Sequence, residues 1–215
     1  WTALDQLAKL PEPPSSNWLA ANAPPEVHLL RGGTGLWRIY FRGGAQPGNW
    51  NDFRHFGPTA SRFDHHLDPP STQERGILYA SAALGWACFA EVFQDTRVID
   101  RSRHEPWLVA FELADQVDLL DLTFAWPTQA GASMLINSGP RPRAQRWSRV
   151  IYDAFPHLHG LRYASSMLAN LPLVALYERA KPALPATPIF HRALADPNLL
   201  DVVRTAGRLC GYAVV

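Results

Sequence analysis

The sequence predicts an α+β fold, a mixed or antiparallel β-sheet core with flanking helices. Strand-like segments outnumber helix-like ones and do not alternate with them regularly, which argues against a doubly wound parallel sheet. Neither a GxGxxG nor a GxxxxGK[ST] phosphate loop occurs, so a Rossmann or P-loop site lacks support. The 215 residues, 47% hydrophobic and 18% charged, suit one domain with a sizeable core.

Residues 1–34 stand apart. Pro11, Pro13, Pro14, Pro24 and Pro25 interrupt short apolar pieces, one of them a candidate helix through Leu4, Leu7 and Leu10. This segment reads as a Pro-rich arm and residues 35–215 as the domain. Leu36-Trp37-Arg38-Ile39-Tyr40-Phe41 has the aromatic and β-branched content of a strand, with Arg38 and Tyr40 on one face. From Gln46 to Arg75 the chain is turn-rich, and a loop of that length is commonly functional or mobile. Ile77-Leu78-Tyr79-Ala80 is the next strand, and Ser81 is placed to cap a helix running to about Gln94. Strands are expected at 97–99, 107–113 and 117–122. Helices near 128–136 and 143–154 are divided by Asn137-Ser138-Gly139-Pro140. The last third reads as strands at 161–165, 173–177 and 189–193, a short helix over 197–206 and a strand ending at Val215.

With 20 basic and 19 acidic residues the formal charge is +1, so no global field collects nucleic acid or anionic lipid. A local arginine cluster can still grip one small anion. Lysine occurs only at Lys9 and Lys181, and arginine supplies planar forks suited to phosphate. Cys88 and Cys210 are the only cysteines, which excludes a disulfide scaffold and makes a reducing compartment, the cytoplasm, the expected location. No run approaches the roughly 20 apolar residues of a membrane span, and the N-terminus lacks a basic region followed by an apolar signal core.

Between Ile77 and Gln94 the only charged side chain is Glu91, and in a helix from Ser81 it shares a side with Leu84, Ala87 and Cys88. An inward carboxylate needs a basic partner or a cleft that uses its charge. A salt bridge to an arginine is one reading; a carboxylate in a cleft is the other. Arg38, Arg42, Arg54 and Arg62 lie in or beside the first strand and the following loop, where they are pyrophosphate forks or solvated loop charges. Tyr79 and the pair Ser165-Ser166 are equally two-sided, since most buried tyrosines and serines satisfy local hydrogen bonds. His55, Asp64-His65-His66, His157 and His159 offer ligand types, but their spacing fits no zinc pattern, so no metal is expected. No G-x-S-x-G elbow is present, and the tryptophans are spread as core residues are.

Taken in order, Gly57-Pro58, Ser61-Arg62-Phe63-Asp64, Gly76-Ile77-Leu78-Tyr79-Ala80, Ala90-Glu91-Val92-Phe93 and Gly160-Leu161-Arg162-Tyr163-Ala164-Ser165-Ser166 resemble the RES domain, named for an arginine, a glutamate and a serine. Leu36-Trp37-Arg38-Ile39-Tyr40 resembles its first strand, and the likeness spans roughly residues 35–215. The resemblance implies a fold similar to ADP-ribosyltransferases and the toxin of a bacterial toxin–antitoxin pair. Such a toxin depletes NAD⁺ by cleaving the nicotinamide–ribose bond, with phosphate or water as acceptor. It maps the named triad to Arg62, Glu91 and Ser165, with Ser166 as the alternative serine and Arg38 and Tyr79 as further pocket residues. It implies NAD⁺ as substrate without a bound cofactor, inorganic phosphate as a candidate co-substrate, and an Xre-type helix-turn-helix antitoxin covering the site. Self-association stays open. The competing readings are a protein ADP-ribosyltransferase and a non-catalytic nucleotide-binding module in which Glu91 is a structural salt-bridge partner.

Overall fold

A computed structural model describes residues 9–83, 85–168 and 170–215 of the chain. Its strands, in chain order, are β1 (Val27–Leu30), β2 (Gly35–Phe41), β3 (Arg54–Gly57), β4 (Ser71–Ser81), β5 (Val98–Ile99), β6 (Pro106–Glu112), β7 (Val117–Asp121), β8 (Gly160–Ala164), β9 (Pro172–Tyr177), β10 (Phe190–Ala193) and β11 (Ala213–Val214). The helices are α1 (Ser16–Asn22), α2 (Trp86–Val92), α3 (Trp126–Gln129), α4 (Arg141–Ala154) and α5 (Leu200–Cys210). The main sheet runs β1-β7-β8-β9-β4-β2-β6-β10, with β3 beside β4, and β5 and β11 form a separate parallel pair. In the main sheet β7 and β8 are parallel and the other pairings antiparallel, so the architecture is α+β with a mostly antiparallel core.

Both faces of the sheet are covered, which explains the nearly continuous apolar runs of its central strands. Along β9, Leu173, Ala175 and Tyr177 face the layer holding Trp126, Trp147 and Ile151, while Val174 and Leu176 face the opposite layer with Leu36, Val109 and Phe111. A third cluster, around Ile39, Phe89, Leu108 and Val203, fixes α2 and α5. The stretch before residue 35 packs on the first of these layers: Leu10 and Leu19 are buried, and β1 extends the sheet beside β7. Of the candidate helix there, Leu4 and Leu7 lie outside the described residues.

Three local expectations need correction. Ser81 does not cap a helix; it ends β4, because ladders to Leu173 on one side and Trp37 on the other hold it extended, and α2 begins only at Trp86. Leu84, expected beside Glu91, lies outside the described residues. The turn-rich stretch 46–75 contains β3 and the start of β4, and it is tied down rather than loose. Asp64, fully buried, accepts from the Thr59 amide (2.6 Å), Thr59 Oγ1 (2.8 Å), Arg54 Nη2 (3.0 Å) and His66 Nδ1 (2.6 Å). Burial pushes this carboxyl's pKa up, but the bonds from His66 and Thr59 and the Arg54 charge hold it well below the usual range. The helix expected over 128–136 is broken into α3 and a 3-10 turn at Met134–Ile136, because Gly131 takes a left-handed φ of 83°.

His65 is fully buried, stacked on Tyr152 at 4.4 Å, and neither ring nitrogen has a hydrogen-bond partner among the described residues. Burial, with the neighbouring His66 and Arg75, depresses its pKa well below 6.5. Neutral His65 is therefore compatible with the fold, and stability is lost as pH falls through about 6.5, where the unfolded chain takes a proton that the folded chain refuses. His65→Phe is expected to fold and to weaken the acid dependence by up to about 1.4 kcal/mol per pH unit just below that point. Urea titrations of both proteins at pH 7.5 and 5.5 check this; identical pH dependence would contradict it.

Candidate active site

The sheet opens where β2 and β4 part. Among the described residues they are paired at Trp37 and Ser81 alone, and farther along β4 its Ile77 pairs with Arg54 of β3 instead. A cleft of about 1250 Å³ fills the gap, with Arg38, Arg62, Tyr79, Glu91, Arg141 and Tyr163 in its walls. It is larger than the roughly 300–1,000 Å³ typical of a small-molecule pocket.

Glu91 comes from the last turn of α2, on the side that also carries the buried Ala87 and Cys88. It forms no ion pair among the described residues; its partner is Ser165, whose Oγ donates to Glu91 Oε1 at 2.6 Å. Ser165 Oγ itself accepts from the amides of Met167 (3.1 Å) and Leu168 (3.0 Å), so the hydroxyl caps the turn after β8 and its proton is directed at the carboxylate. Ser165 is 1% exposed. Ser166 lines the cleft without making this bond, so of the two serines Ser165 is the one joined to Glu91. A second cavity of about 320 Å³, lined by Met134 and by the uncharged polar Thr123, Ser138, Ser165 and Asn170, shares Asn137, Ala164 and Ser166 with the main cleft. Burial raises the Glu91 pKa, opposed by Ser165 and by the charges of Arg62 and Arg141. The carboxylate is thus held in a cavity that disfavours its charge, with no counter-ion locked onto it.

Arg62 reaches across to α4's approach, its Nη1 donating to the Gly139 carbonyl at 2.6 Å. Burial and the nearby Arg141 lower its pKa, while Glu91 raises it. Gln145 of α4 bonds the carbonyls of Thr59 (2.7 Å) and Ser61 (2.9 Å), fixing the loop that carries Arg62. Tyr79, on β4, accepts from the Phe63 amide at 3.2 Å, which ties strand and loop together, and burial raises its pKa. Arg38 lies 6.0 Å from the Tyr40 ring centroid, as expected for residues on one face of β2. Its Nη1 donates to the carbonyls of Trp50 (2.7 Å) and Asp52 (3.1 Å), and burial brings its pKa down to about 10, still charged at neutral pH. Arg38 therefore also braces the loop over the cleft.

The five predicted residues converge on this cleft, Ser165 through its bond to Glu91. Other arginines differ: Arg54 is spent on Asp64, and Arg42 lies 3.9 Å from the Trp107 ring. Among the described residues no three His, Cys, Asp or Glu side chains gather as a metal site. His55 and His159 are instead bonded to the backbone of Gln73 and Asp118. Three wall residues were not singled out from sequence: Arg141, Tyr163 and Asn137. The Asn137-Ser138-Gly139-Pro140 breaker is the signal that could have found two of them, since it brings a chain reversal and the start of α4 to the cleft. No helix among the described residues is long and apolar enough to cross a membrane.

The structure is similar to a chain in the M. tuberculosis MbcT-MbcA toxin-antitoxin complex, with a TM-score of 0.52 over 82% of this chain and 92% of that one. At 15% identity this is a likeness of fold. Alpha-(1,3)-fucosyltransferase 4 of Pan troglodytes is 34% identical over 92 residues, 37% of this chain and 17% of that protein, so the chain spans under a fifth of it and the match carries no argument about chemistry. The RES domain pattern matches residues 35–197, from the first residue of β2 to the turn that opens α5. The chain belongs to the RES domain family.

Proposed function

We propose that this protein cleaves the nicotinamide–ribose bond of NAD⁺ and serves as the toxin of a toxin–antitoxin pair. The observation that carries the reading is the 2.6 Å bond from Ser165 to a half-buried Glu91 that has no ion pair among the described residues, in a cleft of about 1250 Å³ that also holds Arg62. When the bond to the cationic pyridinium breaks, its electron pair leaves with neutral nicotinamide and the ribose becomes oxocarbenium-like. A carboxylate beside that carbon stabilises the developing charge. Because nicotinamide leaves uncharged, no strong general acid is needed. Ser165 holds Glu91 in place, Arg62 and Arg38 grip the diphosphate, and Tyr79 contacts the nicotinamide ribose. An oxygen of water or phosphate then bonds to the ribose carbon and releases a proton, giving ADP-ribose or its 1-phosphate. That the similar fold belongs to a toxin–antitoxin complex supports an antitoxin partner for this chain; an Xre-type helix-turn-helix protein covering the cleft is what the RES resemblance implies for that partner.

Incubation with NAD⁺, with and without phosphate, followed by product separation, tests the reading. Free nicotinamide together with ADP-ribose or its 1-phosphate is expected. Label transferred to a protein band would mark an ADP-ribosyltransferase instead. Arg62→Gln is expected to weaken NAD⁺ binding roughly 10-fold or more, since a charge-assisted bond to phosphate contributes about 1.5–3 kcal/mol. Unchanged affinity by calorimetry would remove Arg62 from that role.

A further inference from the structure

We propose that Arg141, the first residue of α4, joins Arg62 in a two-guanidinium clamp for a phosphate group beside Glu91. The inference deepens the NAD⁺-cleavage reading and rests on it for the source of that phosphate. Arg62 and Arg141 line one cleft with Glu91. The bond from Arg62 Nη1 to the Gly139 carbonyl brings its guanidinium to the turn that leads, two residues later, into Arg141. Arg62 has no carboxylate ion partner among the described residues, and one of its nitrogens is engaged. The ion partner of Arg141 is Asp95, a 3.3 Å contact to a side chain that is 78% exposed and readily surrendered to solvent. Two half-buried cations thus share one wall, balanced only by Glu91, which ion-pairs with neither among the described residues, and by the exposed Asp95. The first turn of α4 has no acidic residue and no side-chain cap, so Arg141 also stands against the positive end of the helix dipole. A cation kept at such an unfavourable place is accounted for by an anion that arrives from outside. Two planar forks fit the oxygens of a phosphate, whereas a carboxylate ligand would occupy one.

The phosphate is either the diphosphate of the dinucleotide or the inorganic acceptor. Calorimetric titration of wild type, Arg141→Gln, Arg141→Lys and the surface control Arg192→Gln with pyrophosphate, inorganic phosphate and NAD⁺ decides. The expected result is pyrophosphate or phosphate binding weakened roughly tenfold or more by Arg141→Gln, less by Arg141→Lys, and unchanged by Arg192→Gln. Parallel weakening of NAD⁺ and pyrophosphate assigns the clamp to the dinucleotide. Weakening of inorganic phosphate alone, with loss of phosphate-stimulated nicotinamide release, assigns it to the acceptor. Wild-type affinities in Arg141→Gln, an equal loss in Arg192→Gln, or no anion binding by wild type would overturn the proposal. If Arg141→Gln fails to fold, weaker binding by a folded Arg141→Lys upholds the clamp and unchanged binding overturns it. Arg141-dependent anion binding without nicotinamide release would uphold the clamp and overturn the cleavage reading.

Discussion

Glu91→Gln is expected to reduce nicotinamide release about 10²- to 10³-fold, the usual loss when one preorganised electrostatic group is removed from a transition state, while leaving the protein as stable as before or more so. The two halves of this prediction come from one fact. The Glu91 pKa is raised chiefly by burial, so the folded protein binds that proton more tightly than the unfolded chain does. The stability it contributes is present at low pH and lost as pH rises through the raised pKa, and at neutral pH the ionised carboxylate is a cost to folding. Gln removes the cost, keeps the shape and still accepts from Ser165, but it offers no charge to the oxocarbenium. Activity should accordingly fall on the acid side with an apparent pKa above the ordinary carboxylate value of 4.5. Turnover and urea midpoints of wild type and Glu91→Gln check both halves. A structural salt-bridge role predicts the reverse pattern, with stability falling and activity kept.

Gly160→Ala is expected to destabilise the fold by about 3 kcal/mol, the upper part of the usual range for overpacking, and to lower activity with it. A Cβ at this position would lie 2.3 Å from the Ala175 carbonyl oxygen and 2.9 Å from the Leu176 Cα, both backbone atoms of β9 that no rotamer change can move. Gly160 pairs with Leu176 on one side and Leu119 on the other, so the clash is transmitted to the centre of the sheet. The same strand delivers Ser165 one residue beyond its end. Gly131→Ala is the comparison. Its φ is 83° but nothing lies within 4 Å of the added carbon, so only backbone strain of about 1–2 kcal/mol is expected. Equal urea midpoints for the two variants would show that close backbone approach at Gly160 is not limiting.

Most central strands were legible because burial on both faces leaves a recognisable β-branched and aromatic run, as at Leu36–Phe41 and Leu173–Tyr177. Boundaries failed where a long-range ladder outbid a local signal. Ser81 has the side chain of a helix cap but is held extended by Trp37 and Leu173, partners 44 positions before it and 92 after it. The proline-interrupted segment before residue 35 concealed β1, whose pairing with Val117–Leu120 no local pattern announces. At the site, Glu91 was visible as a lone charge in an apolar run, and Arg62, Tyr79 and Ser165 through the order of motifs around it. Arg141 was not, because an arginine opening a helix reads as solvated surface until the fold sets it in the wall that holds Glu91. The parting of β2 from β4, which creates the cleft, is likewise a property of pairing between distant segments.

Release of free nicotinamide from NAD⁺ by the purified wild-type chain tests the central claim most directly. Continuous, multiple-turnover release that Arg62→Gln slows at limiting NAD⁺ is the expected result. A folded wild-type protein that leaves NAD⁺ intact, with phosphate and without it, would contradict the claim.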